Sequence, residues 1–174
     1  MQGGIVEAAV LAPVYRDGDG RLRLVLIRRG PRGVHGGQLA LPGGRREPGD
    51  TDLCETALRE AQEEIGLERA RVEVVAALPI VTTATTGFHI APFLGRLLGP
   101  PTPWRRQELE IAEVLEVDIE ALAASHGQEE MLFGGWAAPR MVPFYRVGEH
   151  KLWGATYRIV QPLLPRLLGG ELSV

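Results

Sequence analysis

Apolar positions fall first into short runs broken by charge and glycine, and Val6 to Tyr15 and Leu22 to Arg28 read as two strands. Between them Asp17-Gly18-Asp19-Gly20 is a hairpin signal. A short strand around Gln38 to Leu41 is closed by Pro42-Gly43-Gly44, which predicts a tight turn, and a charged loop follows to Asp50. The period then changes. At about 100° per residue, Cys54, Ala57, Leu58, Ala61 and Ile65 share one arc, the stripe of an amphipathic helix. Asp50-Thr51-Asp52 offers oxygens to cap its start, and Gly66 marks its stop.

Val72 to Ile80 and Phe88 to Leu97 predict further strands around a threonine-rich loop, and Gly99 to Pro103 reads as a rigid connection. Ile111 to Val117 alternates like a strand, and Asp118 to Ala124 looks helical. Met141 to Val147 with His150 to Leu152 predicts a late hairpin, and Trp153 to Leu168 a helix kinked at Pro162. Mixed strands with a central and a terminal helix define an α+β architecture.

Composition narrows the class. With 174 residues, 45% apolar and 24% charged, residues 1–174 are expected to form one domain with a proper core. No apolar stretch approaches the roughly eighteen residues that span a bilayer, and the first residues lack a basic region before a long apolar run. A soluble, cytoplasmic protein without membrane partners is the expectation. Cys54 is the single cysteine, on the apolar side of its helix, and reads as core filler rather than nucleophile. A net charge of -3 argues against nucleic acid as a partner. Lys151 is the one lysine among 19 basic residues. Arg28, Arg29 and Arg32 gather just before His35, and arginine suits bidentate phosphate contacts.

The chemistry concentrates in the helix. Glu60, Glu63 and Glu64 lie within about one and a half turns, where like charges repel by a few tenths of a kcal/mol per pair. Holding a divalent cation turns that repulsion to use. Glu60 and Glu64 fall together at the edge of the apolar arc and read as metal ligands, while Glu63 points further toward solvent as a second-tier ligand. Hard carboxylate oxygens fit Mg2+ or Mn2+ better than Zn2+. Glu55 and Arg59 stand four apart and are expected to pair, with a loop acid as the alternative partner of Arg59. Upstream, Gly43 and Gly44 allow positive φ and let backbone N–H groups approach a phosphate.

Gly44 to Leu67 resembles the Nudix box, the loop-helix signature of hydrolases that cleave a nucleoside diphosphate linked to another moiety. Arg59-Glu60-Ala61-Gln62-Glu63-Glu64-Ile65-Gly66-Leu67 matches every position of its second half. In the usual spacing the loop acid falls at Thr51; here Asp50 stands one residue early, so the loop is one residue longer. The coenzyme A pyrophosphatases within that family are similar in the longer loop. They share a preceding segment that here runs His35-Gly36-Gly37-Gln38-Leu39-Ala40-Leu41-Pro42-Gly43-Gly44, followed by Glu47, Asp50 and Thr56-Ala57-Leu58-Arg59-Glu60-Ala61-Gln62-Glu63-Glu64. The arginine that precedes the histidine is shifted by one, to Arg32. Weaker echoes are Thr86 to Phe93, Glu110 to Val114 and Leu152 to Thr156.

The resemblance implies an α/β/α sandwich with a mixed β-sheet, a central catalytic loop-helix and a C-terminal helix. It implies metal-dependent hydrolysis of coenzyme A or a derivative to 3′,5′-ADP and 4′-phosphopantetheine, by Glu60, Glu63, Glu64 and an orienting Arg59. Arg28, Arg29, Arg32, His35, Gln38, Gly43 and Gly44 are the expected substrate contacts. A general base is sought among Glu63, Glu110 and Glu113, with His35 and His89 also able to act near neutrality. Phe88, Trp104, Trp136 and Tyr145 are candidates to stack on adenine. ADP-ribose or another nucleotide derivative is the alternative substrate, a non-catalytic nucleotide sensor the alternative role, and a homodimer the implied assembly.

Overall fold

The computed structural model describes residues 5–83, 87–99 and 103–174. Strands β1 (Val6–Arg16) and β2 (Leu22–Arg29) form the expected hairpin. Asp17 ties its turn: one carboxylate oxygen accepts from the Asp19 and Arg21 N–H groups at 3.0 and 2.9 Å, and the other takes the Arg23 guanidinium at 2.8 Å. There follow β3 (Leu39–Ala40), β4 (Gly43–Arg45), α1 (Leu53–Ile65), β5 (Val72–Ala77), β6 (Val81–Thr82), β7 (Phe88–Leu97) and β8 (Ile111–Asp118). The chain ends with α2 (Ile119–Ala124), β9 (His126–Met131), β10 (Arg140–Val147), β11 (His150–Leu152) and α3 (Gly154–Leu168).

Among the described residues the main sheet runs β3-β2-β1-β7-β5, with β4 on β1, β6 on β7 and β8 on β2. The β1–β7 pair is parallel and its neighbours are antiparallel, so the sheet is mixed. Parallel neighbours need a crossover, and α1 lies on it. A second, antiparallel sheet is β9-β10-β11.

The central strands are apolar on both faces because both are covered. On β1, Ala9, Leu11 and Tyr15 meet Ala57, Ala61 and Ile65 of α1 in one core. The alternate residues Ala12 and Val14 meet Ile159, Val160 and Leu163 of α3 in a second. This is the α/β/α sandwich. Helix α3 runs through Pro162 and Pro165, each of which forgoes a backbone hydrogen bond.

Three elements differ from the sequence reading. Gly43 and Gly44 form β4 against Val10 and Ala9 of β1 rather than a tight turn, and neither has positive φ. The strand from Val72 stops at Ala77, and β6 resumes at Val81. Strand β9 was hidden because His126-Gly127-Gln128-Glu129-Glu130-Met131 carries almost no apolar signal; it holds by pairing with β10. Parts of the threonine-rich loop and of the proline-rich connection, 84–86 and 100–102, lie outside the described residues. Among the described residues no helix is long and apolar enough to cross a membrane.

Candidate active site

Helix α1 starts on Asp52, whose carboxylate accepts from the Glu55 N–H at 2.8 Å, and ends on Gly66 with φ 71°, donating to Ala61 and Gln62. Those two caps fix which face of the helix meets the sheet. Ala57, Ala61 and Ile65 are buried, and Glu64 goes in with them at the edge of the stripe. Its carboxylate accepts from the Gly43 N–H of β4 at 2.9 Å. Burial pushes the Glu64 carboxyl up to about 8; the Gly43 donor and Arg29 pull the other way, and Glu60 and Glu110 add to the rise. One turn back, the half-buried Glu60 packs against Gly44, where an added Cβ would sit 2.6 Å from its carboxyl carbon. Burial raises the Glu60 carboxyl too, against the neighbouring Arg59. Glu63 is exposed, as its helical angle implied.

The glycines therefore serve proximity rather than turning. At Gly43 a Cβ would collide with the Ala9 carbonyl and Val10 of β1, and at Gly44 with Glu60. Adjacent glycines of one strand thus receive the two carboxylates of one helix face.

Arg59 is the hub. Its Nε and Nη2 donate to the two Asp50 oxygens at 2.8 and 3.0 Å, a bidentate pair. Nη1 donates to Glu60 and Glu63 at 3.2 Å each, and Nη2 also reaches the Arg45 carbonyl at 3.1 Å. Asp50 is buried and accepts in addition from the Glu47 N–H at 2.9 Å and the Thr56 hydroxyl at 2.8 Å. The Arg59 guanidinium holds the Asp50 carboxyl well below the usual range. The lengthened loop thus still delivers its acid to the arginine. The expected Glu55–Arg59 pair is not made: Glu55 bonds Arg69 from the end of the helix instead, leaving Arg59 to Asp50. Burial raises the half-buried Cys54 thiol, which leaves it little thiolate.

Beside β4 opens a cleft of about 730 Å³. Of the expected substrate contacts, Arg29, His35, Gln38, Gly43 and Gly44 line it; Arg28 and Arg32 do not. Arg28 is held by Glu113 of β8 at 3.2 Å, and Arg32 is an exposed loop residue. The His35 ring nitrogen lies 3.2 Å from the Gln38 side-chain oxygen. Of the candidates to stack on adenine, Phe88 and Trp136 line the cleft. Trp104 instead packs against the α1 core and donates to Glu116 at 2.6 Å, and Tyr145 is buried in the other core. His89 alternates away from the cleft that Phe88 and Ile90 line. Glu110 is exposed and close enough to raise both Glu60 and Glu64.

The sequence reading missed half of the wall. Phe133 and Trp153 join Trp136 in edge-to-face contact, with centroids 5.1 to 6.3 Å apart, and His35 stacks on Phe133 at 5.9 Å. Arg45, Arg140 and Arg158 line the same space. Ring contacts of the β9–β10 connection with His35 and with Trp153 at the start of α3 bring the aromatic residues together, and no sequence spacing reports that.

A mixed sheet between helices, with an acid-bearing helix docked on a glycine strand at a cleft, is the architecture of a nucleotide-hydrolase domain. A family model described as the NUDIX domain matches residues 6–132. The Nudix hydrolase NudL of Salmonella newport is 36% identical over 156 residues, covering 87% of this chain and 72% of that protein. The chain belongs to the Nudix hydrolase family. Among solved structures, the Nudix hydrolase RenU from M. smegmatis is 25% identical with a TM-score of 0.57, over 70% of this chain and 76% of its own. A MutT protein from Methanosarcina mazei Go1 is 17% identical with a TM-score of 0.59, over 97% and 98%, and shares the fold.

Nudix hydrolases use divalent metal ions. Among the described residues no three His, Cys, Asp or Glu side chains converge as a ready-made cage. What is present is an oxygen-only pair, Glu60 and Glu64, whose carboxyls are both raised by burial first and by neighbouring carboxylates after it. Such a pair fits a hard cation that takes its remaining ligands from water and phosphate.

Proposed function

We propose that this protein hydrolyses the pyrophosphate bond of coenzyme A or a coenzyme A derivative, giving 3′,5′-ADP and 4′-phosphopantetheine, with Mg2+ or Mn2+ as cofactor. Glu60 and Glu64 would hold the metal, with Glu63 beside them. The observation that carries this reading is one cleft running from the glycines under those glutamates to an aromatic wall set with arginines. A pyrophosphate needs the first end; a purine nucleotide needs the second.

When bound, the metal supplies charge neutralisation and a more acidic water. The chain supplies position. Asp50 fixes the Arg59 guanidinium, and Arg59 in turn restrains Glu60 and Glu63. Gly43 and Gly44 line the cleft together with Arg29 and Arg45, whose guanidiniums suit a phosphate there. In the reaction the water oxygen bonds to one phosphorus while the bridging P–O bond breaks. The leaving phosphate keeps the electron pair, and the proton lost by water passes to a carboxylate. Glu110, exposed beside Glu60 and Glu64, suits that last role better than Glu113, which Arg28 occupies.

The test is product mass analysis with CoA, ADP-ribose, NADH and 8-oxo-dGTP in Mg2+ and in Mn2+. CoA is expected to give the highest kcat/KM. Faster cleavage of ADP-ribose would overturn the substrate assignment, and undiminished turnover by Glu64→Gln with metal present would overturn the catalytic one.

A further inference from the structure

The aromatic wall of the cleft carries two arginines that no carboxylate among the described residues neutralises. Arg23, Arg28, Arg46, Arg59, Arg69 and Arg96 each pair with a carboxylate. Among the described residues, Arg140 and Arg158 make no such pair, and neither do Arg29 and Arg45 on the same cleft. The Arg140 guanidinium lies 5.0 Å above the Trp136 ring, and Arg158 is steadied by donating to the Thr82 carbonyl at 2.8 Å. Both are exposed, and both line the cleft together with Phe133, Trp136 and Trp153. A guanidinium held over a ring keeps its in-plane donors free for an oxyanion. Phe133, Trp136 and Trp153, all half-buried, give a flat ligand a preformed apolar seat.

We propose that Phe133, Trp136 and Trp153 seat the purine of the substrate while Arg140 and Arg158 bind a phosphate monoester on its ribose, so the site selects 3′-phosphorylated nucleotides over those with a bare ribose. This rests on the coenzyme A reading for the identity of the nucleotide. It adds which residues read the 3′-phosphate, a group remote from the bond that breaks. Binding at such a distance serves selection and positioning.

The test uses tryptophan fluorescence, since two of the three tryptophans stand in the wall. Trp104→Phe removes the third, which lies outside the cleft. In this background 3′,5′-ADP and 5′-AMP are titrated without metal. We expect 3′,5′-ADP to bind about tenfold tighter, the worth of one good charge-assisted contact. Arg140→Gln and Arg158→Gln are each expected to reduce that preference and leave 5′-AMP binding unchanged. Arg146→Gln, whose guanidinium lies over Phe144 elsewhere, is expected to change neither. Equal affinity for the two nucleotides in the unmodified site would overturn the proposal, as would an equal loss for both in the arginine variants. The cleavage arm compares CoA with 3′-dephospho-CoA. CoA cleaved without a 3′-phosphate preference defeats this inference and leaves the function standing. A 3′,5′-ADP preference in a protein that does not cleave CoA defeats the function and leaves the subsite standing.

Discussion

Replacing Arg59 by Met keeps most of the side-chain volume and removes the charge, so it tests whether the Asp50–Arg59 pair holds the loop to the helix. The Asp50 side chain is 3% exposed. Without Arg59 it would keep two donors, the Glu47 N–H and the Thr56 hydroxyl, but no counter-charge. Removing one partner of a buried pair in this way costs about 3–5 kcal/mol. At about 2–4 °C per kcal/mol for a domain of this size, the melting temperature should fall by about 10 °C. The double variant Asp50→Asn with Arg59→Met removes the stranded charge and should recover a large part of the loss, a coupling readable in urea unfolding. The sign with pH is fixed as well. The folded Asp50 carboxyl lies below its unfolded value, so the stabilisation is present above the ordinary carboxylate range and fades as pH falls through and below it. Arg59→Met should flatten that acid-side slope. A loss under about 1 kcal/mol, or a double variant no more stable than Arg59→Met, would refute a central role for the pair.

Glu64 gives the opposite slope: burial raises its carboxyl to about 8, so the fold keeps a proton the unfolded chain has lost. Metal-free stability should therefore fall as pH rises from the ordinary carboxylate range toward 8, by at most about 1.4 kcal/mol per unit. Melting curves in EDTA should show the decline in the wild type and little of it in Glu64→Gln. Gly44→Ala places a Cβ against the Glu60 carboxylate. A displacement of about 1 Å there should lower kcat by about a hundredfold with the fold retained by circular dichroism. Gly66→Ala forces a side chain into φ 71° and against Arg105, and should cost about 1–2 kcal/mol in urea unfolding.

What could be read in advance follows from whether an element's signal is local. Helix α1 announced itself through its period and caps, and the β1–β2 hairpin through Asp17 to Gly20, because those interactions are made within a few residues. Gly43 and Gly44 were misread for the same reason: a glycine pair looks locally like a turn, and its reason here is the nearness of β1 and Glu60, far off in sequence. Among charges, the sequence leaves Arg59 a choice between Glu55 at i, i+4 and a loop acid, and the loop acid wins because a bidentate bond to a buried carboxylate is worth more than an exposed helical pair. The arginines divided likewise: Arg29 reached the cleft while Arg28, next to it, pointed to β8 and found Glu113, as alternation along a strand requires.

The three glutamates of α1 differ through burial rather than composition. Glu64 is buried against β4, Glu60 half-buried against Gly44, and Glu63 exposed, though all three stand within two turns of one helix. Arg59 reaches Glu60 and Glu63 but makes no bond to Glu64, whose only hydrogen bond among the described residues is the Gly43 N–H. The most buried carboxylate is thus the one the guanidinium leaves uncompensated, and burial raises it to about 8. A group so placed is poorly suited to stabilising the free fold, since burying its charge opposes folding. Under the metal-dependent reaction proposed above a bound cation would compensate that charge, and Arg59, locked on Asp50, makes no bond to Glu64 that would compete with it.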